Sequence, residues 1–407
     1  MDQAPDERMR IMISTYIFQN HKLPLGSETE IRNAIWGVSY GYTPYLPSLL
    51  GAFNMWIVSH FSTSEAALLT AGRFENVCAL TILWFLTGKA GCRLFKNRTS
   101  ALLLALMVCY LPQIVFIGSY HNNDMISLMC TAWIALAWLR GDQDGWEVKK
   151  AVFLGTGIGI LALTYYNDYG WILCSIFFYF ISAARQKLGW KKTLLYALIV
   201  FAVAFGIAGW FFIRNYIIHD GDFLGMKTMY ADGENYAMDQ FKPSNRETPA
   251  HDSLTFYQAF FETGWYVMTW RSFIGVFGYM EFEMAPWFYH IYKYLFMAML
   301  VLSLFEVIRR RDVSVNLIVN FIICMIIPVA LSMYYSYYID YQAQGRYIIS
   351  MALPLMYFCI YGLDSLSAGL TGRTAKCIPG VCLSVFWLIL SFYCLNTGLV
   401  ANCLLVK

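Results

Sequence analysis

Charge is what this 407-residue chain has least of: 14% of its residues are Asp, Glu, Lys or Arg, against 58% hydrophobic. A soluble globular domain carries nearer a quarter charged residues, so the composition excludes that class. With a mean hydropathy of +0.50, the chain reads as an all-α, polytopic membrane protein. The net charge is only +3, and the basic residues form short clusters between apolar runs, which excludes a nucleic-acid surface. No C-x-x-C pair occurs among the eleven cysteines. Cys78, Cys109, Cys130, Cys174, Cys324 and Cys382 stand singly in apolar stretches and read as small core residues. His21, His121, His219, His251 and His290 show no zinc spacing. No Gly-rich phosphate loop or Rossmann fingerprint is present, so a nucleotide site is not expected. No metal or other cofactor is indicated by spacing, although a divalent metal remains compatible with the acidic residues of the chain.

Apolar windows of roughly 17 to 25 residues, the length that crosses a bilayer, recur about ten times: near 66–88, 100–119, 125–140, 151–166, 170–184, 194–216, 288–308, 315–335, 347–364 and 378–399. Between them lie five basic clusters. These are Lys89, Arg93, Lys96 and Arg98; Arg140, Lys149 and Lys150; Arg185, Lys187, Lys191 and Lys192; Arg309, Arg310 and Arg311; and Arg373 and Lys376. The positive-inside rule puts all five on the cytoplasmic side. The complementary segments then face outward: residues 1–65, Ser119–Asp124, Tyr166–Tyr169, 217–287 and Ser336–Arg346. A chain that starts outside with some 65 residues needs a means of export, so a first transmembrane helix is expected ahead of this sequence, with a translocated N-terminus as the alternative. The organisation expected is an outer segment over 1–65, a first transmembrane bundle over 66–216, an outer loop capping the site over 217–287, and a second bundle over 288–407.

The outer segments hold the acids, amides and aromatics. Met9, Ile13, Tyr16 and Ile17 recur at helical spacing within Asp6–Asn20, which predicts an amphipathic helix lying in the interface. Trp36–His60 is apolar but interrupted by Pro44 and Pro47, and reads as a second interfacial helix, with a true span as the alternative. The chain opens Ala4-Pro5-Asp6-Glu7-Arg8, an adjacent carboxylate pair on the outer face. Taking a proton from a hydroxyl needs a base, and holding a phosphate needs cations. Carboxylates suit the first task and the planar fork of Arg suits the second.

Five segments carry a family resemblance: Pro5-Asp6-Glu7 with Arg10, Asn122-Asn123-Asp124, Trp210 through Tyr216, Ser272 through Gly278, and Gln344-Gly345-Arg346-Tyr347. Together, in this order, they resemble the GT-C superfamily of polyprenyl-phosphate-sugar glycosyltransferases, which includes protein O-mannosyltransferases and aminoarabinose lipid A transferases. The resemblance implies a GT-C transmembrane helix bundle with outer-face interfacial helices and loops. It implies Asp6, Glu7 and Asp124 as catalytic candidates, with Asp6 as base. It also implies Arg346, Arg271, Arg214, Tyr347, Asn123, Arg8 and Arg10 as substrate-binding candidates. The partners implied are the bilayer, a polyprenyl-phosphate sugar and a glycan, lipid or protein acceptor, at the outer face of a bacterial plasma membrane. One departure stands out. Tyr165, after Leu163-Thr164, occupies the place where some lipid A transferases carry a basic residue.

Each residue also has a plainer reading. Asp6 with Glu7, and Asp124, suit helix N-termini; Arg346 suits an interfacial anchor; and Arg73, inside an apolar run beside Glu75 and Asn76, suits a structural ion pair. Competing functions are a lipid-linked saccharide flippase or transporter, a lipid-linked glycan ligase or polymerase, and a non-catalytic scaffold. Transporters place their polar site at the midplane on broken helices and often show repeats; here the polar residues sit at span ends.

Overall fold

The computed structural model describes residues 4–310 and 314–404; Arg311 of the fourth basic cluster lies outside the described residues. Among the described residues the chain forms fifteen α-helices. The first half contains α1 (Glu7–Asn20), α2 (Leu46–Ser59), α3 (Glu65–Leu94), α4 (Arg98–Cys109), α5 (Pro112–Ile117), α6 (Asp124–Asp144), α7 (Val148–Ala162), α8 (Gly170–Arg185) and α9 (Trp190–Ile218). After α10 (Met226–Tyr236) and α11 (Trp265–Gly275) comes a short antiparallel pair, β1 (Val276–Phe277) with β2 (Phe282–Glu283). The chain ends with α12 (Pro286–Arg310), α13 (Val315–Tyr338), α14 (Ala352–Gly369) and α15 (Arg373–Cys394).

Every expected span is helical, but they are not equivalent. Six helical segments are long and apolar enough to cross a membrane: α3, α9, α12, α13, α14 with the turn that leads into it, and α15 with its continuation to Asn402. The window at 100–119 divides into α4 and α5, because Pro112 cannot continue a helix and disfavours helical backbone just before it. Helix α4 is short yet almost wholly buried, and a short segment is tolerated where protein covers it. Helices α7 and α9 approach closely because Gly155 and Gly159 lack side chains. A Cβ on Gly155 would lie 2.7 Å from the Val200 carbonyl oxygen, and one on Gly159 2.8 Å from Ile207 Cβ. This is the small-residue packing that lets helices associate where lipid supplies no hydrophobic drive.

The main apolar core joins both halves around Trp138, whose ring stacks on Phe178 at 4.7 Å and on Trp171 at 5.4 Å. Residues of the first and third basic clusters meet acidic partners. Arg93 pairs with Asp144, Arg185 reaches Asp142 and Ser314, and the backbone N–H groups of Lys96 and Asn97 donate to Asp364.

The two expected interfacial helices differ from the reading. Helix α1 buries Glu7, Arg10 and Ser14 as well as Met9, Ile13 and Tyr16, so its inner face is polar and packs on protein. Ile13 and Tyr16 sit in a satellite core with Tyr45, Leu163 and Phe211. The second helix starts at Leu46, not Trp36. Pro44 disfavours helical backbone at Thr43 and breaks any helix approaching from Trp36, whereas Pro47 stands in the first turn of α2, where a missing N–H is accepted.

Candidate active site

The site is built where α1, α6 and the Gln344–Tyr347 segment meet. Asp6 precedes α1 with φ 60°, a left-handed conformation that costs an L-residue roughly 1–3 kcal/mol. Its side chain makes no capping bond to α1, so the helix-cap reading does not hold. Asp6 Oδ2 instead accepts a hydrogen bond from Arg346 Nη2 at 2.5 Å.

Arg346 opens a tight turn over Gly345–Met351 and is only 6% exposed. Its position comes from two of the sequence motifs packing together. The Gly345 N–H donates to Ser272 Oγ at 2.5 Å, and a Cβ on Gly345 would fall 2.0 Å from the Phe273 backbone nitrogen. Only glycine fits there.

Arg10 lies one turn beyond Asp6 and is 5% exposed. Its guanidinium stands 4.2 Å over the Tyr40 ring and faces Tyr165 at 5.8 Å. Asp124, buried at the start of α6, shares the fields of Arg346, Arg10 and Asp6. Burial works against charge on Asp6, but Arg346 and then Arg10 outweigh it and hold the Asp6 carboxyl below the usual carboxylate range.

Two buried donors stand open: the Nε atoms of Arg10 and Arg346 have no hydrogen-bond partner. Buried polar groups are nearly always satisfied, and guanidinium donors match carboxylate or phosphate oxygens. The arrangement sets two guanidinium donors without a partner among the described residues beside a carboxylate. Asp6, Arg10, Asn123 and Tyr347, with Tyr40 and Tyr165, line a pocket of about 320 Å³; Arg346 and Asp124 are buried beside these residues and are not part of its lining. Asn123 is fixed by donating to the Pro44 and Thr164 carbonyls at 3.1 and 2.8 Å.

The structure therefore brings together Asp6, Asp124, Arg346, Arg10, Asn123 and Tyr347. It does not bring in the rest. Glu7 turns away from the pocket and accepts from Arg73 Nε and Nη2, both at 2.6 Å, and from the His121 N–H at 2.8 Å. The ion pair expected of Arg73 exists, but with Glu7; Glu75 lies 2.6 Å from His121 Nδ1 instead. His121 Nε2 lies 3.1 Å from Ser14 Oγ and 3.3 Å from Ser48 Oγ, so one fully buried ring ties α1, α2 and α3 together behind Asp6. Arg214 donates to the Pro24 and Leu23 carbonyls, Arg271 pairs with Glu283 at 2.8 Å, and Arg8 is exposed. None of the three lines the pocket.

Sequence reasoning missed Tyr40, Asn167, Tyr335 and Arg246, all of which line it. Arg246 comes from the 217–287 loop, and its guanidinium rests 5.1 Å from the Trp36 ring. The tyrosine wealth of the outer segments was a signal for the aromatic lining; nothing distinguished these members from their neighbours. Among the described residues no group of three or more His, Cys, Asp or Glu side chains is placed to hold a metal ion.

The bundle and the placement of its pocket define a membrane protein with the GT-C transferase fold. The structure superposes on the archaeal oligosaccharyltransferase AglB from Archaeoglobus fulgidus, in complex with an inhibitory peptide and a dolichol-phosphate, with a TM-score of 0.55 and 13% identity over 96% of this chain and 51% of that one. It superposes on ArnT from Cupriavidus metallidurans bound to undecaprenyl phosphate with a TM-score of 0.54 and 12% identity, covering 97% of this chain and 66% of that one. The chain spans about half the length of the oligosaccharyltransferase, and likeness at this identity defines the fold alone. A family model described as "Predicted membrane protein (DUF2142)" matches residues 17–355, and the chain belongs to that family. No curated protein matches the chain.

Proposed function

We propose that this protein is an inverting glycosyltransferase that moves a sugar from a polyprenyl-phosphate donor to a hydroxyl acceptor at the outer face of a bacterial plasma membrane. The observation that carries the reading is the pair of buried, unpartnered guanidinium Nε donors beside Asp6. A phosphate entering the pocket meets Arg10 in its lining, and Arg346 lies one hydrogen bond further in, through Asp6. The neighbours AglB and ArnT, bound to dolichol-phosphate and undecaprenyl phosphate, support the same ligand class here.

In the resting state Asp6 is held by Arg346 and is a weak base. The incoming donor phosphate competes for the Arg346 fork, and as that hydrogen bond transfers to phosphate the Asp6 carboxylate becomes free. Asp6 then takes the acceptor hydroxyl proton while the acceptor oxygen attacks the anomeric carbon. The bond from that carbon to the phosphate oxygen breaks, and its electron pair leaves with polyprenyl phosphate, whose charge Arg346 and Arg10 stabilise. Asp124 balances the two arginines between turnovers, and the tyrosines of the lining offer faces for the sugar.

The test is transfer by the purified protein from a panel of polyprenyl-phosphate sugars, with Arg346→Lys as control. Lysine keeps the charge but loses the planar fork, so turnover should fall while folded yield is kept. Failure to turn over any lipid-phosphate sugar, or parental kinetics in Arg346→Ala, would refute the reading.

A further inference from the structure

At the opposite end of α3 from Arg73, a second concavity of about 440 Å³ opens between α3 and α6. Lys89 lies sixteen residues after Arg73 on the same helix, roughly 24 Å away along the axis, so this groove stands across the bundle from Asp6. Its two ends differ in chemistry. Trp84, Phe85 and Leu136 form an apolar wall toward the middle of the bundle, while Lys89, Arg93 and Arg140 line the end of the helices.

Arg93 is paired with Asp144 at 2.7 Å. The other two cations make no salt bridge among the described residues: Lys89 is exposed, and the Arg140 guanidinium stands 4.7 Å from the centre of the Phe153 ring, within the field of Asp144 one turn along the same helix. Gly88 opens the groove between wall and cations, since a Cβ there would meet nothing within 4 Å. Lys89 and Arg140 belong to the basic clusters assigned to the cytoplasmic side by their charge.

We infer that this groove binds an anionic phospholipid of the cytoplasmic leaflet, its phosphate against Lys89 and Arg140 and an acyl chain along Trp84 and Phe85. Topogenic charge alone needs only cations in loops. Here two cations that make no salt bridge among the described residues sit on helices, at the rim of a concavity walled by Trp84, Phe85 and Leu136, and that order from apolar to cationic is the order of acyl chain and phosphate in a phospholipid. Each Lys or Arg near an anionic lipid surface contributes about a factor of five to binding.

The experiment is native mass spectrometry of the full chain titrated with phosphatidylglycerol and, separately, phosphatidylcholine. Phosphatidylglycerol should bind preferentially, about fivefold more weakly after Lys89→Gln and about fivefold more weakly again after Arg140→Gln. Gly88→Leu fills the notch and should abolish the preference with an unchanged melting temperature. Because Lys89 is exposed and Gly88 faces open space, these two variants fold even if Arg140→Gln does not. Equal binding of phosphatidylcholine, an undiminished preference in Lys89→Gln and Gly88→Leu, or inorganic phosphate binding as tightly as phosphatidylglycerol would each overturn the assignment. Glycosyl transfer does not enter the measurement, so its outcome is independent of the proposed activity.

Discussion

Asp6→Asn separates the roles of the acid and the arginine beside it. Asparagine keeps the size and can still accept from Arg346, but it takes no proton and supplies no charge. Loss of a general base costs roughly 10²–10⁴ in turnover, about 3–5 kcal/mol of barrier. Affinity for the lipid phosphate moves the other way. Asp6 competes for Arg346 Nη2 through a charge-assisted bond at 2.5 Å, worth about 1.5–3 kcal/mol, so its removal should tighten polyprenyl-phosphate binding by about tenfold or more. The folded fraction also falls, because Arg346 keeps only Asp124 as a nearby acid; breaking a buried pair costs at most about 3–5 kcal/mol, and rates must be normalised to folded protein. The assay is radiolabelled sugar transfer in nanodiscs, paired with calorimetric titration of polyprenyl phosphate. Transfer at the parental rate, weaker phosphate binding in the variant, or a product that retains the donor's anomeric configuration would refute the scheme.

Glu7→Gln should show the opposite pattern: it breaks the buried Arg73 tether, so stability in chemical denaturation falls by about 3 kcal/mol, while turnover per folded molecule stays within about tenfold of the parent. Gly345→Ala drives a methyl into the Phe273 backbone and should destabilise by about 3 kcal/mol, read as a lower melting temperature. With pH, the depressed Asp6 pKa means that the carboxylate is charged above the ordinary Asp value of about 3.9 and that its pairing with Arg346 is lost only as pH falls through the lower folded value. The acid limb of kcat/KM for the parent should therefore lie below about pH 4, and Arg346→Gln should move it upward; an unmoved limb would remove Asp6 from the titration.

Hydropathy alone determined the membrane character of this chain and the positions of its six long apolar helices, because burying backbone in lipid demands long apolar helical runs whatever their packing. The resemblance pointed to Asp6, Asn123, Asp124, Arg346 and Tyr347, and the fold brings these residues together at one place. What the sequence could not express was which of two adjacent carboxylates faces the pocket. Asp6 and Glu7 differ by one position, and the left-handed backbone at Asp6 sends Glu7 to Arg73 and leaves Asp6 to Arg346. Arg214 and Arg271 read as secondary candidates behind Arg346, because they too stand at outer span ends. Only the tertiary structure shows the first two satisfied by carbonyls and a carboxylate and the Nε donors of Arg10 and Arg346 left without a partner among the described residues, because those contacts come from segments far apart in the chain.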